Sequence, residues 1–385
     1  MITSDLYKQT AMQFANNLPH LHPPYSGRNW GHPWHSLCSY HGKLKPAIAH
    51  ILVKNFTSPG EIVLDPMSGV GTIPFEACLQ GRIGIANDLS RLAYVVSKAK
   101  VNRPDFVEIE KTLNELEEFI VENRNSFVEI REKNKSFGFN KKIIEYFHPE
   151  TYKEIIAARE FFKNKKDPSP AECFVLSCTL HVLHGNRPYA LSRNSHPLTP
   201  YAPTGEFIYK NVITHVRNKV QLSYNKGDWN HYTEGIALNQ DLFNLDVNWK
   251  NKIDVIITSP PFFDSIRFYI NNWMRLWFTG WEPNDFVEAD NIFLEGKQKK
   301  DLNIYRSFFK VCSNLLKDQG RMILHLGKSK KCDMAKELSL RAIDYFDVIF
   351  EGAEQVDKIE KHGIKDKGST TEHQFLFLQK KKAPI

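Results

Sequence analysis

The sequence predicts an α/β fold in which an open, mostly parallel sheet is interrupted by a largely helical insertion. Three observations carry this. An apolar run, Ile62 to Asp65, enters a glycine turn and then a helical pattern; a second apolar run follows at once; and after a long helical stretch the alternation resumes and lasts to the end of the chain.

From Glu61 the run EIVLDPMSGVGT reads as a buried strand and a glycine turn, and IPFEACLQ as the first helix, stopped by Gly81. RIGIAND is a second strand ending on Asp88, and LSRLAYVVSKAKVN has apolar residues at helical spacing. From about Pro104 to Asp228 the alternation breaks: FVEIEKTLNELEEFIVEN, ETYKEIIAAREFF and AECFVLSCTLHVLH have the period of amphipathic helices. GNRPYALSRNSHPLTPYAPTGE, with four prolines, two arginines and two tyrosines but no period, reads as an irregular loop. Alternation returns with EGIALNQDLF, DVIITSPPFF, the helical YRSFFKVCSNLLKDQG, and the strands RMILHLG, FDVIFEG and HQFLFLQK. The chain thus divides into a leading segment (1–60), a first sheet part (61–103), an insertion (104–230) and a second sheet part (231–385).

With 385 residues and 42% hydrophobic content the chain can bury a sizeable core. No apolar run approaches bilayer length and the amino terminus lacks a basic stretch before an apolar one, so a cytoplasmic protein without membrane association is expected. The net charge of +7 is compatible with a polyanionic partner without demanding one. Six cysteines without a CxxC pair read as reduced core thiols. His20, His22, His32, His35 and His41 sit among prolines and tryptophans without ligand spacing, so no metal is expected.

A strand ending in Asp65, followed by Gly69, Val70 and Gly71 and then a helix, lets a ligand approach the backbone where glycine presents no Cβ. Asp88 lies 23 residues after Asp65, near the ~20-residue separation at which a carboxylate reaches ribose hydroxyls in Rossmann-like sites. DPMSGVGT resembles the DPFxGSGT motif of S-adenosylmethionine-dependent DNA amino-methyltransferases, the N4-cytosine and N6-adenine enzymes of restriction-modification systems. It departs from that motif at Met67 and Val70. The resemblance implies a class I methyltransferase sheet and S-adenosylmethionine as cofactor, held by Asp65, Pro66, Ser68, Gly69, Gly71 and Thr72, with Asp88 on its ribose. YHGKLKPAIAHIL, beginning at Tyr40, is similar to the segment that precedes the glycine loop in that family and closes over the cofactor; it reads equally well as an ordinary amphipathic helix. Asp241 either faces the adenine ring or caps a helix.

DVIITSPPFF places Ser259, Pro260, Pro261 and Phe262 directly after an apolar strand, at the carboxyl edge of the sheet. Two prolines fix φ and remove two donors, so the serine hydroxyl and the Pro260 carbonyl are left as acceptors. An exocyclic amino group is a poor nucleophile because its lone pair is delocalised, and acceptors aimed at its N–H groups help localise that pair for in-line attack. Phe262 offers a face on which an extruded base can stack, worth ~1–3 kcal/mol. The tetrapeptide resembles SPPY of N4-cytosine enzymes more than DPPY of N6-adenine enzymes, with phenylalanine for tyrosine. Carbon-5 methylation is disfavoured, because its nucleophile is a cysteine after a proline and no such pair occurs.

The insertion and its proline-rich loop are the expected recognition element for double-stranded DNA with a flipped target base, with His184, Arg187, Tyr189, Arg193 and His196 available to phosphates or bases. The resemblance implies N4-cytosine methylation at a specific site, with a cognate restriction endonuclease as partner. N6-adenine methylation, methylation of an RNA base, and an inactive DNA-binding homologue are the alternatives.

Overall fold

The computed structural model describes residues 3–382 apart from 28–29, 187, 246, 264–267 and 357–369. Seven strands form one sheet: β1 (Ile62–Asp65), β2 (Ile83–Asn87), β3 (Ile236–Leu238), β4 (Ile253–Thr258), β5 (Leu316–Ser329), β6 (Phe346–Gln355) and β7 (Thr370–Lys380). Their order is β3-β2-β1-β4-β5-β7-β6, and all neighbours are parallel except β7, which runs antiparallel to both β5 and β6. The fold is Rossmann-like, as the sequence predicts, and the order reverses between β1 and β4. In such sheets ligands bind in the crevice outside the carboxyl ends of the two strands at that reversal.

The helices α1 (Ser4–Asn17), α2 (Pro46–Phe56) and α3 (Thr72–Leu79) cover one face of the sheet. Alternating residues serve opposite faces, as the two-residue strand period requires. Val63, Val255, Ile257, Ile323, Phe375 and Phe377 pack under these helices, whereas Leu64, Ile256, Met322, Leu324, Leu376 and Leu378 point the other way.

α4 (Arg91–Val101) carries the helical region: α5 (Phe106–Asn123), α6 (Val128–Asn134), α7 (Pro149–Lys163), α8 (Pro170–Val182) and α9 (Val212–Tyr224). α5 is amphipathic and buries Ile109, Leu113, Leu116 and Ile120. α8, begun by a Ser169/Glu172 capping box, is apolar on nearly every side because it runs between α4, α5 and α9. Residues of α4, α5, α7, α8 and α9 share one continuous core with Trp34 and Phe75, so this region is part of the body that holds the sheet.

A second helical stretch lies between β4 and β5: α10 (Phe268–Asn271), α11 (Trp273–Phe278), α12 (Pro283–Ile292) and α13 (Leu294–Lys300), before α14 (Ile304–Leu315). Sequence reading recognised only α14 here, so the insertion before β3 is not the sole long helical content. α14 buries Tyr305, Phe308, Phe309, Cys312 and Leu315, a stripe at helical spacing, and with α15 (Met334–Ala342) covers the second face of the sheet. No helix among the described residues is long and apolar enough to cross a membrane.

Candidate active site

Four loops meet at the carboxyl edge. Asn87, at the end of β2, donates from Nδ2 to the carbonyls of Pro66 (3.0 Å) and Gln240 (3.1 Å), and its Oδ1 accepts from the Gln240 N–H (3.2 Å). One buried amide thereby ties together the loops after β1, β2 and β3. Asp65 Oδ1 accepts from Thr258 Oγ1 (2.6 Å) and from the Met67 N–H (3.2 Å), joining the end of β1 to the end of β4. Burial pushes the Asp65 carboxyl up to about 7, against those hydrogen bonds, which hold it down.

The glycine loop is held from two sides. Asp88 accepts from the Gly69 N–H (2.9 Å) through Oδ2 and from the Ser90 N–H (2.8 Å) through Oδ1. From α4, Ser97 Oγ donates to the Gly69 carbonyl (3.0 Å) and the buried Lys100 Nζ to the Val70 carbonyl (2.6 Å). Gly71 has φ +68°, and a Cβ there would lie 2.7 Å from Ser97 Oγ, so the loop-to-helix approach requires glycine twice over. Burial raises the Asp88 carboxyl to about 6, against the two backbone N–H bonds.

Ser259–Phe262 follow β4 on the opposite side of the reversal. Gln298 of α13 donates to the Pro261 carbonyl (3.0 Å) while accepting from the Tyr305 hydroxyl (2.8 Å), which anchors the turn to α14. Phe262 fits because residue 327 is glycine: a Cβ there would sit 2.4 Å from the Phe262 ring. Ser259 Oγ lies 3.0 Å from Nδ1 of His325 in β5. These contacts frame a cavity of about 850 Å³, within the ~300–1,000 Å³ of small-molecule sites.

Pro66, Gly69, Asp88, Asp241 and Tyr40 line this cavity, and so do Ser259, Pro260, Pro261 and Phe262. The Tyr40 ring lies over Gly69. Asp241 also caps the short 3₁₀ turn Leu242–Asn244, its Oδ1 accepting from the Phe243 N–H (3.0 Å). Ser68, Thr72, Asp65 and Gly71 are not on the cavity wall: the first three are buried behind it, and all four shape the loop. His325, Gln298, Lys100 and Asn87 escaped sequence reading. A histidine inside the otherwise apolar RMILHLG was the available signal for the first.

The expected recognition residues lie elsewhere and are largely spent on their own loop. His184 is buried, with Nδ1 against the His196 carbonyl (3.1 Å), so it has no surface to offer a phosphate. Arg193 donates to the carbonyls of Gly205 (2.8 Å) and Glu145 (3.0 Å) and lies over Phe207. His196 Nδ1 accepts from the N–H groups of Leu198 and Thr199. Tyr189 stacks on His181 and keeps an exposed edge, and Arg187 lies outside the described residues. The amino-terminal histidines pack: His20 pairs with Glu354 (2.8 Å), and His35 joins His50 on the buried Glu76. The six cysteines are free and buried, and the described residues hold no cluster suited to a metal.

One family model matches, the RMKL-like methyltransferase domain (UPF0020), over residues 33–142, which span Tyr40, the glycine loop and Asp88. Over these residues the chain is similar to a methyltransferase domain, which fits S-adenosylmethionine as the cofactor. The match is not to the DNA amino-methyltransferase family that the motifs resemble, and neither double-stranded DNA nor an endonuclease partner is supported by it. No curated protein matches. Among solved structures, TrmN from Thermus thermophilus aligns at 14% identity and a TM-score of 0.34, covering 91% of this chain and 52% of that one, so this chain spans about half its length. A variant of the 16S rRNA (adenine(1408)-N(1))-methyltransferase from Catenulisporales acidiphilia aligns at 7% and 0.31, covering 91% and 99%. The rRNA methyltransferase AviRa from Streptomyces viridochromogenes aligns at 9% and 0.33, covering 89% and 88%.

The cavity suits S-adenosylmethionine: backbone at Gly69 faces it without a side chain, and Asp88 keeps lone pairs beyond the two it gives to backbone N–H groups. When bound, the cofactor supplies an electrophilic methyl group on a sulfonium. Gly69 and Pro66 would hold its methionine end, Asp88 its ribose hydroxyls, and Asp241 its adenine.

Proposed function

We propose that this chain is an S-adenosylmethionine-dependent methyltransferase that transfers the methyl group to the exocyclic amino group of a base in RNA, with cytosine N4 the first base to test. The observation that carries the reading is the shared cavity: two acceptor-bearing residues, Ser259 and Pro260, and the flat face of Phe262 line the same space as Gly69 and Asp88. Ser259 Oγ and the Pro260 carbonyl take hydrogen bonds from the two N–H groups of the amine, localising its lone pair toward the methyl. Phe262 supports the ring.

RNA is favoured over duplex DNA by the fate of the helical region. A duplex target has to be gripped while one base is extruded at a cost of a few kcal/mol, whereas an unpaired RNA base enters without that cost. The helices expected to do the gripping share a core with Val70 of the glycine loop, Phe75 of α3 and α4, and His184 and Arg193 are bonded within their own loop. N4-cytosine methylation in DNA is the second reading, favoured by Ser259 at the head of the SPPF segment.

The test is to incubate the protein with methyl-labelled S-adenosylmethionine and total RNA or genomic DNA, digest to nucleosides, and identify the product by mass spectrometry. N4-methylcytidine or N6-methyladenosine from RNA is the expected result. N4-methyl-deoxycytidine alone would give the second reading, and label on a ring atom or a ribose would contradict amino-group chemistry.

A further inference from the structure

We propose that His325 is the positioning residue of Ser259, and that the pair makes the site select a base presenting an amino group rather than a carbonyl. The inference rests on the functional reading above and names what enforces its substrate class. In β5, Leu324 and Leu326 pack into the core on one face. His325 faces the other way, at the level where β4 ends, and lines the cavity with Nδ1 3.0 Å from Ser259 Oγ.

Every element around the ring is apolar or turned to another partner. Phe262 lies 5.5 Å away between ring centroids, Phe375 5.2 Å and His373 5.0 Å. Glu354 of β6 takes a hydrogen bond from His20 (2.8 Å) and stands 3.8 Å from His373 Nδ1. Nε2 of His325 has no partner among the described residues. Burial holds the imidazole well below the usual histidine range; His373 and His20 also lower it and Glu354 opposes them, so the ring is neutral at neutral pH.

A neutral imidazole has one bare nitrogen. The Nε2–H tautomer, which a free histidine side chain prefers, leaves Nδ1 to accept the Ser259 O–H. The serine then has no proton left to give, and its oxygen faces the ligand as an acceptor only. The Pro260 carbonyl beside it has no proton to give either. Two acceptors match the two N–H groups of an amine, while a base carbonyl would be left facing two lone-pair donors with no hydrogen between them. In the opposite tautomer, Nδ1–H would donate to Ser259 and free its hydroxyl to donate, reversing the selection.

The test compares wild type with His325→Ala, His325→Asn, Ser259→Ala and the Ser259→Ala/His325→Ala double variant. Methyl transfer to total RNA gives kcat and KM, and calorimetry gives the S-adenosylmethionine affinity. His325→Ala should lower kcat by about tenfold to 100-fold with KM and cofactor affinity unchanged. Asparagine, whose Oδ1 can accept the same O–H, should restore most of the rate, and the double variant should be no slower than Ser259→Ala alone. A full rate in His325→Ala, or losses that multiply in the double variant, would overturn the assignment. Nitrogen-15 NMR of the histidine rings reads the same claim without any substrate: a neutral Nε2–H ring at His325 whose Nδ1 signal moves in Ser259→Ala is expected, and an Nδ1–H ring would overturn it. If wild type methylates no nucleic acid, the functional reading fails, and the NMR result still decides what His325 does.

Discussion

The cavity edge and the helical region solve the same problem, holding irregular backbone in place, in opposite ways. At the cavity, polar side chains brace loops that end in open space: Asn87 links three of them, Asp65 bridges β1 and β4, and Ser97 and Lys100 pin the glycine loop. In the helical region polar side chains close the structure on itself. Arg275 of α11 is fully buried and donates to the carbonyls of Leu180 (3.1 Å), Leu198 (3.1 Å) and Pro197 (2.8 Å), fastening the proline-rich loop to the core. The difference teaches that a residue of catalytic type is informative when its bonds lead to a cavity, and uninformative when they lead back to its own loop.

The largest expected effect breaks that closure. Arg275→Ala leaves three carbonyls without donors and a hole behind them, and should destabilise the fold by on the order of 3–5 kcal/mol. Urea unfolding followed by circular dichroism and by tryptophan fluorescence should show one coincident transition, since the region shares its core with Trp34 and Phe75. Two separate transitions would make the helical region an independent unit and restore it as a candidate recognition domain.

Gly71→Ala strains a residue at φ +68° and drives a Cβ against Ser97. It should cost about 1–2 kcal/mol of stability and weaken cofactor binding with it, measured by thermal shift and calorimetry. A variant with unchanged cofactor affinity would separate the loop's shape from its ligand.

Asp88→Asn should weaken S-adenosylmethionine binding by about tenfold, or ~1.4 kcal/mol. In wild type the affinity should fall as pH drops through about 6, where burial places the Asp88 carboxyl, because protonation removes an acceptor from the ribose hydroxyls. The unliganded fold has the opposite sign. A carboxyl raised from 3.8 to about 6 binds a proton more tightly when folded, so its contribution to stability is lost as pH rises through that window. Calorimetry across the window checks both, and an affinity independent of pH would remove Asp88 from the ribose.

Tyr201→Ala should have the smallest effect. Tyr201 is 56% exposed on the proline-rich loop, and its loss should raise the RNA KM by no more than about fivefold, the lower end of the ~1–3 kcal/mol of one stacked base, without touching cofactor affinity.

The sheet and the cavity walls were legible because their chemistry is local. A glycine turn after an apolar strand, an acid on the next strand, and a proline pair after a third each sit within a few residues of the backbone they shape. His325 was not, because it reaches Ser259 across 66 residues of sequence, and neither was Lys100, which reads as a surface lysine on α4. That His184 is buried and Arg193 bonded to its own loop was illegible for a related reason: composition reveals that a loop is basic and aromatic, and says nothing of where its donors point. The short helices α10–α13 lack the length at which period becomes visible.

The most direct measurement is single-turnover methyl transfer to total RNA by wild type and Ser259→Ala, each saturated with labelled S-adenosylmethionine whose binding is measured separately. The account predicts label on a base amino group, a rate lowered about 100-fold in the variant, and equal cofactor affinity in both. A variant that transfers as fast as wild type, or that fails only because it no longer binds the cofactor, would contradict a site in which Ser259 faces the base.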